Sequence, residues 1–193
     1  DAGTNTGAPP PDLDGNPRLV NATGTANIDL GAYEYQSTYN ICTACLTSGS
    51  IVHVNDNAAG ANNGKSWNDA FNNLQDALDL AGSCPNVTKI WVAAGTYLPT
   101  KASCGTGDRF KTFVMLPGVK IYGGFAGGET SLSQRNWTSN VTTLSGDIGT
   151  PGNVSDNCFH VIFNEDVLNG SEVLDGFTIT GGNADGPTSS HTG

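Results

Sequence analysis

Residues 173–183 (VLDGFTITGGN) restrict what this chain can fold into more than any other stretch. Phe177, Thr178, Ile179 and Thr180 alternate apolar and polar, the period of a strand with two unlike faces. Gly176 precedes that run and Gly181-Gly182 follow it, so the strand is short and ends in turns. The same pattern recurs at 89–97 (KIWVAAGTY), 119–126 (VKIYGGFA), 141–148 (VTTLSGDI) and 160–164 (HVIFN). The segments are spaced by roughly 18 to 30 residues, within the range of structural repeats. Strands of this kind are expected to lie one on the next as rungs of a ladder.

Composition agrees with strands and tight turns. Glycine contributes 26 of 193 residues and charged residues only 13%, which favours an all-β chain over a helical one. The net charge is −10 with 8 Lys and Arg residues. Too few cations are present to neutralise phosphates, which argues against nucleic acid and against an anionic membrane surface. No stretch reaches the roughly 18 apolar residues of a membrane span, so no membrane insertion is expected. Residues 1–11 lack the basic and apolar regions of a signal peptide. A signal, if the chain is exported, would have been removed or lie upstream.

Residues 1–36 begin with a Gly/Pro-rich stretch and end in an alternating run, with Ile28, Leu30, Tyr33 and Tyr35 as its apolar positions. Residues 37–50 have no period and read as a connector. The pattern restarts at Ile51-Val52-His53-Val54 and continues to the end, giving a third region at 51–193. One amphipathic helix is expected from Ser66 to Gly82. Ser66 is a candidate N-cap, and Trp67, Phe71, Leu74, Leu78 and Ala81 fall on one face. That face is expected to cover the open edge and core of the first rung.

The cysteines are Cys42, Cys45, Cys84, Cys104 and Cys158. An odd count leaves a thiol unpaired or paired between chains. Cys84 and Cys104 flank the 89–97 strand and its following loop; a disulfide and two buried thiols both fit. Cys42-x-x-Cys45 is open to a local disulfide, a redox pair or half a zinc site. Asp12, Asp14 and Asn16 give an oxygen-rich loop that makes Ca²⁺ a possible cofactor, although the distal bidentate glutamate of an EF-hand is missing. Six Asn-x-Ser/Thr sequons occur, beginning at Asn21, Asn86, Asn136, Asn140, Asn153 and Asn169. Glycosylation and chance both account for them in a chain rich in Asn and Thr.

From IVHVNDNAAG through GKSWNDAFNNLQDALDLA, KIWVAAGTYLPT, VKIYGGFAGGETSLSQRNW and TTLSGDI to VLDGFTITGGNADG, residues 51–186 resemble a pectate-lyase-like right-handed parallel β-helix. More narrowly, they are similar to the β-helix modules of large secreted surface proteins of Bacteroidota-type bacteria. The resemblance implies an all-β β-solenoid with an N-terminal capping helix around Trp67. Residues 12–35 resemble the coil that ends such modules, so the order suggests a junction between modules. A β-helix enzyme acting on polysaccharide needs clustered carboxylates. Asp147 and Asp175, with Glu172 nearby, are the strand carboxylates, and both aspartates sit beside glycine as turn residues do. Arg109 and Arg135 fall in loops, in surface or turn-bracing roles, and His53 and His160 fit satisfied sheet histidines. No catalytic residue is assigned.

The expected function is therefore a non-enzymatic structural or adhesive module, extracellular or on the cell surface. Its partner would be another copy in a head-to-tail filament, or neighbouring modules of a longer chain. In the filament, Ile28, Leu30, Tyr33 and Tyr35 would anchor a donated strand. A polysaccharide lyase or hydrolase, or a carbohydrate-binding module, is the alternative.

Overall fold

The computed structural model describes residues 19–20, 27–28, 50–103, 105–164, 168 and 170–186. The chain separates into two compact units, Asp1–Ala44 and Cys45–Gly193. In the first, β1 (Leu19–Val20) pairs antiparallel with β2 (Asn27–Ile28), placing Leu19 opposite Ile28.

The second unit begins with β3 (Ser50–Val54), helix α1 (Leu74–Ser83) and β4 (Val87–Ala93). β3 and β4 are parallel neighbours, and α1 packs on both. Parallel neighbours need a crossover connection, and here the helix supplies it. Then come β5 (Gly95–Tyr97), β6 (Lys120–Phe125), β7 (Thr142–Ser145), β8 (Val173–Asp175) and β9 (Phe177–Thr180). They form two parallel sheets, one of four strands in the order β3-β4-β6-β8 and one of three in the order β5-β7-β9.

These findings correct the all-β expectation. The content is mixed α/β, with two small parallel sheets, and no solenoid is present among the described residues. Period-two alternation reports a strand but not the connection that follows it. The 89–97 segment divides between the two sheets, as β4 and β5, and 173–180 divides likewise into β8 and β9. The 160–164 segment forms no strand; it makes one isolated bridge, Ile162 with Phe113.

Register explains the core. Val52, Ile90, Ile121 and Leu174 align across the first sheet. The first three are buried, as are Leu74 and Leu78 of α1, which packs on β3 and β4. The opposite face aligns His53, Trp91, Tyr122 and Asp175. β4 is buried on both faces, as a central parallel strand should be. At the corner between β8 and β9, Gly176 has φ +84°, and a Cβ on it would lie 2.7 Å from the Gly123 carbonyl oxygen. A Cβ on Gly123 would lie 2.5 Å from the Gly176 oxygen, so the two backbones touch where only glycine fits.

The helix starts eight residues later than Ser66. Ser66 Oγ does accept from Asp69 N at 3.1 Å, the local sign of a cap. The next carbonyls are then taken by other parts of the chain. Gly60 N bonds Asn68 O, both Asn63 N and Gly64 N bond Asp69 O, and Asn55 N bonds Phe71 O. With those acceptors used, no i to i+4 ladder can start there. Asn73 caps the real helix, accepting from Gln75 N at 2.8 Å. Leu74, Ala77, Leu78 and Ala81 form its buried face, and the helix runs one residue past Gly82. Trp67 and Phe71 precede it, half-buried. The exposed edge of β3 is covered by this preceding segment rather than by α1: His53 N bonds Gly64 O and Phe71 N bonds His53 O.

Candidate functional site

The two sheets share an unfinished side. β8 is the last strand of the first sheet and β9 the last of the second, with no strand beyond either among the described residues. Tyr97, Leu144 and Ile179 occupy one register column of the second sheet. Leu144 is 1% exposed and Ile179 51%. In the first sheet, Leu174 is half-buried where its column partners are enclosed. An edge strand with an exposed apolar residue is a template for another strand.

Next to this edge stands Arg135, brought in by the loop after β6. Its guanidinium lies 5.0 Å from the Tyr122 ring centre and 5.1 Å from that of Trp137. Nη1 donates to the Asp175 carbonyl at 3.3 Å, and Nη2 pairs with the Asp175 carboxylate. Trp137 itself is 56% exposed. The loop before Arg135 is held by Glu129, whose carboxylate accepts from Ala126 N, Gly127 N and Gly128 N. Burial alone would raise the Glu129 carboxyl, but those donors together hold it below its ordinary value.

Toward the β3 end of the first sheet, His53, Trp67, Trp91 and Phe125 form an aromatic cluster, with Trp91 stacked on Phe125 at 4.7 Å and His53 edge-on to Trp67 at 4.6 Å. Trp67 Nε1 donates to Glu129 O at 2.8 Å. His53 Nδ1 lies 3.2 Å from Gly64 O; a carbonyl only accepts, so Nδ1 carries the proton. Burial lowers the His53 pKa from its ordinary value against the pull of that bond.

The sequence-derived carboxylates are used separately. Asp175 is paired with Arg135. Asp147 Oδ2 accepts from Gly152 N at 2.8 Å, bracing its own turn. Glu172 accepts from Gly118 N and Gly170 N. No group of three or more His, Cys, Asp or Glu side chains is placed to hold a metal among the described residues. Arg109 braces a second junction: it donates to Asn157 O and Asn183 O, pairs with Asp185 and covers the Phe159 ring at 4.2 Å. His160 stacks on Phe163 outside any strand. Cys84 is disulfide-bonded; Cys104, its expected partner, lies outside the described residues. Cys158 is a buried free thiol, pushed up to about 11 by burial. The Ca²⁺ candidates Asp12, Asp14 and Asn16, the pair Cys42 and Cys45, and the anchors Leu30, Tyr33 and Tyr35 also lie outside the described residues. Ile28 lies in β2.

The sequence placed Arg135 in a loop with a surface or turn-bracing role, without naming its ring partners or Asp175. The available signal was Tyr122, Arg135 and Trp137 flanking one glycine-rich turn, a combination suited to cation–π stacking. No family model, curated protein or solved structure matches the chain. No helix among the described residues is long and apolar enough to cross a membrane.

Proposed function

We propose that this chain is a non-enzymatic structural or adhesive module that works outside the cell and self-associates by strand addition at the β8/β9 edge. The observation that carries the reading is the Leu144–Ile179 column, enclosed at one strand and open at the next. A further strand laid on β9 would cover Ile179 and use the main-chain groups along that edge. A second copy of the chain is the partner, and the N-terminal segment bearing Ile28, Leu30, Tyr33 and Tyr35 is the donor. Ile28 already pairs with Leu19 in a hairpin of two residues per strand. So short a pairing is marginal alone and open to exchange. Such a contact is head-to-tail, so it repeats into a filament. The disulfide at Cys84 supports an oxidising, extracellular setting.

Light scattering behind size exclusion, with electron microscopy, tests the assembly. The intact chain should form oligomers that lengthen with concentration. Ile179→Lys, and separately removal of residues 1–36, should give folded monomers. A monodisperse intact chain, or the same fibres from Ile179→Lys, would overturn the self-association. Sustained release of unsaturated products from an acidic polysaccharide would overturn the non-enzymatic reading.

A further inference from the structure

Three register columns are left open at the last strand of their sheets. Leu174 continues the column of Val52, Ile90 and Ile121 in the first sheet. Phe177 continues that of Thr142, and Ile179 that of Leu144, in the second. One strand earlier each column is closed, with Ile121 2%, Thr142 1% and Leu144 1% exposed. At the last strand Leu174 and Phe177 are half-buried and Ile179 is exposed. β8 and β9 are joined through the single residue Gly176, so both open edges lie along one stretch, 173–180. One added segment can therefore finish both sheets, provided that it turns at the same place.

The spacing of Leu174, Phe177 and Ile179 sets what that segment must carry. Its inward residues must be large and apolar, at the same intervals along the chain. The two residues between the first and second of them must be small, because the turn is tight: a Cβ on Gly176 would lie 2.7 Å from the Gly123 oxygen. Among residues 1–49 only Leu30, Tyr33 and Tyr35 place large apolar residues at this spacing, and Gly31-Ala32 supplies the small pair. In that register Asp29 falls beyond Val173, whose column holds Lys89 and Lys120 directly opposite each other. Like charges so placed repel, and an acidic residue in the same column offsets them. Gly31 falls beyond Asp175 and brings no side chain against its ion pair with Arg135. A slip of one residue would turn Leu30, Tyr33 and Tyr35 away from the open columns. We propose that residues 29–35 of a second copy add as one parallel rung across both edges, with Leu30 beside Leu174, Tyr33 beside Phe177 and Tyr35 beside Ile179. The inference rests on the self-association proposed above and adds its register and its span over both sheets.

Disulfide trapping in the full chain tests the register. Neighbouring strands lie about 4.8 Å apart, within reach of a disulfide, whereas positions five residues apart along a strand are out of reach. Glu34→Cys combined with Thr178→Cys changes outward positions of this register and leaves the apolar columns intact. Mild oxidation should convert it into a ladder of covalent oligomers on a non-reducing gel. The offset combination, Glu34→Cys with Val173→Cys, should link at least about tenfold more slowly. Asp29→Cys with Val173→Cys is a second in-register combination and serves if the first fails to fold. The parent chain, with its own cysteines, sets the background. The register is overturned if filaments form while neither in-register combination links above that background, or if the offset one links as fast. A chain that stays monodisperse at high concentration overturns the self-association, and the register with it.

Discussion

Arg135 and Asp175 are ion-paired across 40 positions of sequence, the arginine side chain 11% exposed and the aspartate 49%. The same guanidinium donates to the Gly123 and Asp175 carbonyls and lies against the Tyr122 and Trp137 rings. One side chain thus ties the loop after β6 to the main chain of β6 and β8. Removing the nearly enclosed partner should hurt far more than removing the exposed one. Arg135→Ala should cost about 2–4 kcal/mol, through lost packing and unmatched acceptors. Arg135→Lys should recover only part, since an ammonium cannot reproduce the planar fork. Asp175→Asn should cost about 0.5–1 kcal/mol, the range of a half-exposed ion pair. Urea denaturation measures all three; equal losses for Arg135→Ala and Asp175→Asn would show that the loop is anchored elsewhere.

The late start of α1 separates two residues that share a periodic pattern. Leu74 is buried on the helix, whereas Phe71 is half-buried and joined to Val54 by a β-bridge. Leu74→Ala should cost about 2–5 kcal/mol. Phe71→Ala should cost less, about 1–3 kcal/mol, since Phe71 keeps part of its surface in water where Leu74 keeps almost none. The reverse order in chemical denaturation would place Phe71 on the core face of a longer helix.

His53 makes stability depend on pH. Burial depresses its folded pKa below the unfolded value of 6.5. The folded state therefore binds this proton less readily than the unfolded chain does. The contribution is fully present above the unfolded value and is lost as pH falls through the folded one. Urea midpoints taken from about pH 7.5 down to about pH 5, above the carboxylate range, should decline. His53→Gln should be less stable near neutrality but flatter over that window. An unchanged slope in this variant would assign the effect to another group.

The sequence alone determined where most of the strands form and which face of β3, β4, β6 and β7 is apolar, although the alternating 160–164 segment forms only one bridge. Val52, Ile90, Ile121 and Leu144 are all buried at positions where alternation places apolar side chains. Alternation is a property of neighbouring residues, so it needs no partner to be read. The late helix start was not legible, because Ser66 and Asp69 make the bond expected of a cap while distant groups take the next carbonyls. Ile179 and Leu144 stand in equivalent strand patterns, yet one is open and the other enclosed. Exposure, sheet membership and the crossover through α1 were decided only in the tertiary structure. Each depends on what packs beside a residue, and a local pattern carries no record of that neighbour.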